Sequence, residues 1–144
     1  MNEIIFESEN SDSKKLAIFE DNGSSAWLYL ASSANHEVEK DAFVYSPREP
    51  RSELNRSGMM EGEPPILIVE YASIDAVLTI EDENDLSIVW SDNGKSLALF
   101  HNADVLAAIY EDDDQGYSKA LSKRCGFGKP WSDEKFEKFF NDAH

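Results

Sequence analysis

Cysteine is all but missing from this chain, and basic residues are scarce. One cysteine, Cys125, in 144 residues excludes an intramolecular disulfide, and with no repeating Cys/His spacing around it a structural zinc site has no sequence support. A single thiol suits a reducing compartment. No apolar run is long enough to span a bilayer, and Met1–Glu7 lacks the basic region and long apolar core of a secretory signal, so the expected location is the cytoplasm. Gly126-Phe-Gly128 is too short, and lacks the strand-to-helix setting, to act as a glycine-rich phosphate loop. Only 13 lysines and arginines stand against 29 acidic residues, a net charge of −16. Such a field repels nucleic acid and anionic membranes and attracts cations or a basic protein.

The negative charge is concentrated. From Ser57 to Ser118 there are fourteen acidic residues and one basic residue, Lys95, a net of −13. Within this stretch lie two clusters, Glu81-Asp82-Glu83-Asn84-Asp85 and Glu111-Asp112-Asp113-Asp114. Neither has the Asp-x-Asx-x-Asx-Gly spacing with a glutamate six residues beyond that wraps calcium, so no metal or other cofactor is expected. The remaining functional reading is a contact surface for a basic partner, carried by Asp82, Glu83, Asp85, Glu111, Asp112, Asp113 and Asp114. The alternative is two solvated turns.

At this length one domain, residues 1–144, can bury roughly 70% of its unfolded surface without a staple. The organising stretch is Leu86 to Glu111, where three apolar runs are separated by Asp92-Asn93-Gly94 and Asn102-Ala103-Asp104. Asn-Gly between β-prone runs is a strong hairpin signal, because tight hairpins need residues that tolerate positive φ. A three-stranded antiparallel meander follows. Leu16 to Leu30 repeats the device around Asp21-Asn22-Gly23, with Trp27 and Tyr29 on one face of the second run. A shift of 71 residues superimposes the two turns, which leaves open a duplication or two independent uses of one turn chemistry.

Further strands are expected at Glu3–Glu7, with a loose exit through Ser13, at Asp41–Ser46 and at Ile66–Glu70. Ser46 to Pro65 reads as a long loop whose arginines, Arg48, Arg51 and Arg56, could bind an anion but are expected to pair with the acidic excess or stay solvated. Ser73–Ile80 reads as one or two helical turns capped by Ser73, and Arg124–Pro130 as irregular chain. The C-terminal helix is predicted from Ser132 to about Asp142. Ser132 caps it, Asp133 and Glu134 suit its positive end, Phe136, Phe139 and Phe140 share a face, and Trp131 staples onto Phe136. The fold class is therefore α+β, a mainly antiparallel twisted sheet built from two hairpin and meander units, with a C-terminal helix.

No catalytic set is visible locally. His36, His101 and His144 lie apart, and Cys125 beside Arg124 has no histidine in a recognisable arrangement. A small enzyme or ligand-binding domain would need a sheet-lined pocket near His101, with Asp104, Glu70 or Trp90 as partners.

Several of these segments also carry a resemblance. Phe19-Glu-Asp-Asn-Gly23 with Ala26-Trp-Leu-Tyr29, then Ser87-Ile-Val-Trp-Ser-Asp-Asn-Gly94, Ala98-Leu-Phe100, the Asn102 turn, Ala108-Ile-Tyr110 and Gly116-Tyr117, resemble a small bacterial domain-of-unknown-function family built on F-E-D-x-G and W-S-x-D/N-G hairpins. The likeness runs over about Leu16 to Trp131, and Ser46 to Ile80 departs from its pattern. It implies no enzymatic activity. Small acidic proteins of this kind are also similar to immunity proteins of bacterial toxin systems, including contact-dependent growth inhibition. That implies a partner: the C-terminal domain of a cognate toxin, often a basic nuclease, bound in the cytoplasm as a one-to-one complex.

Overall fold

The computed structural model describes residues 4–47, 71–74, 76–125 and 127–140. Two antiparallel sheets face one another. The first contains β1 (Ile4–Asn10), β2 (Lys15–Asp21), β3 (Ala26–Ser32) and β4 (Val38–Tyr45), each paired with the next in sequence. The second contains β5 (Leu86–Trp90), β6 (Leu97–His101), β7 (Asp104–Ile109), β8 (Tyr117–Ser118) and β9 (Lys129–Pro130), again in chain order, with only β8 and β9 parallel. One helix, α1 (Asp133–Phe140), closes the described chain. This is the α+β, mainly antiparallel class that the hairpin signals predict.

Alternation along each strand divides the side chains between two faces. The inward set, Ala17, Phe19, Leu28, Leu30, Ala42, Val44 and Tyr45 from the first sheet and Leu86, Leu97, Leu99, Ala107 and Ile109 from the second, forms the central core. Each large apolar side chain fully buried there contributes about 1.5–3 kcal/mol relative to exposure. The sheets meet along two seams. On one, the Trp90 indole N–H donates to Ser8 Oγ at 3.2 Å, and Gly94 packs so tightly on Asn10 that a Cβ there would come within 2.6 Å of its Oδ1. On the other, the Gly116 N–H donates to the Asp41 carbonyl at 3.1 Å and Ser118 Oγ donates to the Val44 carbonyl.

The helix covers the outer face of the second sheet. Phe136 meets Phe100, and Phe139 lies 5.0 Å from Tyr110 between ring centroids. Ser132 Oγ accepts the Lys135 N–H at 3.2 Å, and Trp131 packs on Phe136 at 5.4 Å, so both the cap and the staple are present.

The first hairpin rests on side chains. Asn22 Oδ1 accepts the N–H groups of Ser24 and Ser25, Gly23 takes φ 90°, and its N–H donates to Asp21 Oδ1. Asp21 is buried, and its other oxygen accepts the Tyr45 hydroxyl at 2.6 Å. The second hairpin shares one of these bonds, Asn93 Oδ1 accepting the Lys95 N–H, but its Gly94 N–H donates to the Ser91 carbonyl rather than to the preceding aspartate. Phe19 pairs with Leu28, yet Trp90 pairs with Leu97 rather than with Leu99, the residue the 71-residue shift requires. The registers differ by two residues, so a simple shift of 71 does not superimpose the two strand pairs.

Three local expectations give way. β1 extends through Asn10 instead of ending at Glu7, because every residue from Ile4 to Asn10 finds a partner on β2. Ser73 does not cap a helix: its hydroxyl donates to the Lys119 carbonyl, Ala72 bridges Leu121, and Val77 makes a parallel bridge to Ser46. Long-range pairing there overrides a local helical pattern. Within Arg124–Pro130, Cys125 bridges Gly128 and Lys129–Pro130 form β9, so that stretch is partly ordered as sheet edge. Most of the Ser46–Pro65 loop, and the Ile66–Glu70 strand, lie outside the described residues.

Candidate functional site

The two acidic clusters sit at opposite ends of the meander. Glu83–Asp85 form a 3₁₀ turn that leads into β5, capped by Asp82, whose carboxylate accepts the Asn84 N–H. The Asp85 carbonyl accepts the Asn102 N–H, and Asp104 stands across from His101 on β7. Glu111–Asp114 follow β7 at its far end, about 17 Å away at 3.4 Å per residue. One flat contact centred on either cluster leaves the other at its margin.

Their electrostatic states differ as well. At the far end the chain supplies its own cations from distant elements. Lys129 donates to both Asp113 oxygens, at 3.0 and 2.8 Å, Lys135 reaches Asp112 at 2.8 Å and Asp113 at 3.6 Å, and the Tyr117 hydroxyl donates to Asp113 Oδ2. Lys40 Nζ caps the end of β7 through the Tyr110 and Glu111 carbonyls, each at 2.9 Å, while Asn93 donates to the Glu111 carboxylate. Burial alone would raise the Asp113 carboxyl. Hydrogen bonds from Lys129, Tyr117 and the Gln115 N–H, together with the Lys129 charge, outweigh it and hold the group well below the usual carboxylate range. Its bond to Asp113 in turn raises the Lys129 ammonium above its ordinary value. Asp113 is thus a structural anion, Asp112 is paired, and the exposed Asp114 is left facing solvent.

At the near end no such neutralisation occurs. Glu81, Asp82, Glu83 and Asp104 are exposed, Asp85 is half-buried, and none of the five forms an ion pair with any residue of the described structure. Of these five only Asp104 lines a cleft of about 340 Å³, together with Tyr45, Val77, His101, Leu106 and Lys119 among others. Ile74, on its wall, is fully exposed, and Val77 is 42% exposed. The cleft thus sets exposed apolar side chains beside the polar groups of His101, Asp104 and Lys119. Of the residues considered for a pocket, His101 and Asp104 do share this cleft. Trp90 is at the other end of β5, half-buried against the core, with its N–H on Ser8.

Cys125 lies half-buried among Phe43, Trp27 and Phe127, and its Sγ accepts the Phe127 N–H at 3.4 Å. Among the described residues no three His, Cys, Asp or Glu side chains converge as metal ligands, and no helix is long and apolar enough to cross a membrane.

Fold and site together define an acidic, two-sheet α+β protein with a mixed polar and apolar cleft at the end of the meander where Asp104 faces His101. Compared with known proteins, the chain finds no matching family, no curated relative and no similar solved structure.

Proposed function

We propose that this is a non-enzymatic immunity protein that binds the basic C-terminal domain of a bacterial toxin in the cytoplasm and blocks its action. The observation that carries the reading is the unneutralised acidic group at the start of β5: Glu81, Asp82, Glu83 and Asp85 make no ion pair among the described residues, and Asp104, across from His101, lines a cleft with exposed Ile74 and Val77. Carboxylates so placed steer a basic partner at up to about 10⁸ to 10⁹ M⁻¹s⁻¹ at low salt, and the apolar wall slows its departure. Glu111 and Asp114 add to the long-range field. Asp112 and Asp113 are engaged with Lys135 and Lys129 and take a lesser part.

The test is co-expression with the toxin domain encoded immediately upstream, followed by association kinetics across a salt series. Protection, and a complex whose on-rate falls at least tenfold in Asp82→Lys/Glu83→Lys, is the expected result. Continued toxicity, or no complex at low salt, rules the reading out. A second reading has one observation in its favour: His101, Asp104 and Lys119 line the same cleft, a set able to hold a small polar ligand. Binding of small metabolites to the isolated chain, abolished by His101→Ala, would favour it.

A further inference from the structure

The outer face of the first sheet combines aromatic rings and carboxylates in a regular pattern. Strand register sets Ile5, Glu20, Trp27 and Phe43 in one row across the four strands, and Glu7, Ile18, Tyr29 and Asp41 in the next. Trp27 and Tyr29, two residues apart on β3, stack with centroids 6.5 Å apart and planes within 16°. Glu20 stands across from Trp27 and diagonal to Tyr29, and Asp41 stands across from Tyr29, so both carboxylates border the ring pair. On its β4 side the platform is packed against a second buried cluster on the same face, which includes Phe43, Leu121 and Phe127. Trp27 meets Phe43 edge-on at 5.3 Å and Phe127 at 5.5 Å, and its N–H donates to the buried Ser25 hydroxyl.

Among the described residues this face has no cation of its own. Elsewhere the chain places its own lysines over its aromatic rings: Lys119 over Trp131, Lys123 over Tyr71, Lys129 over Tyr117 and Lys135 over Tyr110, at 5.2–5.6 Å. None covers Trp27 or Tyr29, and Glu7, Glu20 and Asp41 make no ion pair or side-chain hydrogen bond. Burial, then the Glu20 and Asp41 charges, raises the Tyr29 hydroxyl above its usual value.

We propose that this face docks a basic polypeptide segment, seating an arginine guanidinium over Trp27 and Tyr29 with Glu20 and Asp41 as its carboxylate partners. Arginine fits better than lysine because its planar, weakly hydrated group stacks on rings while its N–H fork meets carboxylates at the edge. Nucleic acid and anionic lipid are repelled by the same charges, and a second copy in a two-fold contact would bring like carboxylates together. The surface lies on the side of β3 and β4 away from the core between the sheets, at the edge of the smaller cluster around Phe43, and stands independently of the cleft at His101.

The experiment titrates the ¹⁵N-labelled full chain with octa-arginine and, in parallel, octa-lysine at about 0.15 M ionic strength. Shifts centred on the outer-face residues of β2 to β4 and the Trp27 indole N–H are expected, with octa-arginine bound about tenfold more tightly than octa-lysine. Tyr29→Ser should weaken octa-arginine binding about tenfold, and Glu20→Gln/Asp41→Asn, which leaves the rings in place, should do the same. Glu134→Gln/Glu137→Gln, which removes equal charge from the helix surface, should change it less than about twofold. Shifts centred elsewhere, equal affinity for the two peptides, or unchanged binding in Glu20→Gln/Asp41→Asn overturns the proposal. Failure to neutralise a toxin while octa-arginine still seats here would remove the immunity reading and leave this surface standing.

Discussion

Replacing Asp113 by asparagine tests whether the Glu111–Asp114 cluster is scaffold or contact surface. The side chain is 12% exposed and receives two bonds from Lys129, one from the Tyr117 hydroxyl and one from the Gln115 N–H, with Lys135 at 3.6 Å. Asparagine keeps the shape but turns an NH₂ group toward donors, leaving the Lys129 ammonium without its anion while Lys135 keeps Asp112. Bonds to a charged acceptor are worth about 1.5–3 kcal/mol each when buried, and Lys129 is partly solvated and recovers some of the loss, so about 2 kcal/mol is expected at pH 7. In a domain of this size that lowers Tm by about 4–8 °C. The pH dependence gives the sharper signature. A carboxylate whose folded pKa is depressed stabilises the fold above its unfolded value, near 3.9, and loses that contribution as pH falls toward the lower folded value. Urea unfolding followed by tryptophan fluorescence should therefore show the gap between wild type and Asp113→Asn closing below about pH 4. A gap under about 0.5 kcal/mol at pH 7, or one that stays constant into acid, would refute the assignment of Asp113 as a structural anion.

Tyr45→Phe removes the 2.6 Å bond to the buried Asp21 carboxylate and should cost about 1.5–3 kcal/mol in urea unfolding. Burial, then the bond to Asp21 and its charge, pushes the Tyr45 hydroxyl above its usual range, so wild type loses stability as pH rises past about 10 while the unfolded chain ionises; Tyr45→Phe should show a shallower alkaline decline. Gly116→Ala places a Cβ 2.3 Å from the Ala42 Cβ and 2.7 Å from the Asp41 carbonyl oxygen, at the seam where β4 meets β8. Backbone displacement is unavoidable, and a Tm lower by about 6–12 °C is expected in a thermal melt; an unchanged Tm would mean the seam is not close-packed.

Much of the candidate site was legible in pieces but not as a site. Alternation along β3 put Trp27 and Tyr29 on one face, yet nothing in the local pattern revealed that Phe43 and Phe127 would back Trp27 while no lysine would cover the ring pair. The Glu81–Asp85 and Glu111–Asp114 clusters looked equivalent as strings of carboxylates. They separate because charge balance is a property of three-dimensional neighbours: Lys40, Lys129 and Lys135 converge on the end of β7 and leave the start of β5 untouched. Ser73 has the same lesson at smaller scale, since a residue suited to cap a helix instead bonds Lys119 across the fold.

The sequence by itself determined the antiparallel hairpins, the meander from Leu86 to Ile109, and the capped helix that follows Ser132. Each is a short-range matter, decided by positive-φ tolerance at Asn-Gly, alternation of apolar residues, or a hydroxyl that satisfies the first turn. Only the tertiary structure decided which carboxylates are neutralised, that the two Asp-Asn-Gly hairpins pair in different registers, and which aromatic face is left without a cation. Those outcomes depend on contacts between residues far apart in the chain, such as Lys40 with Glu111, and no local pattern encodes them.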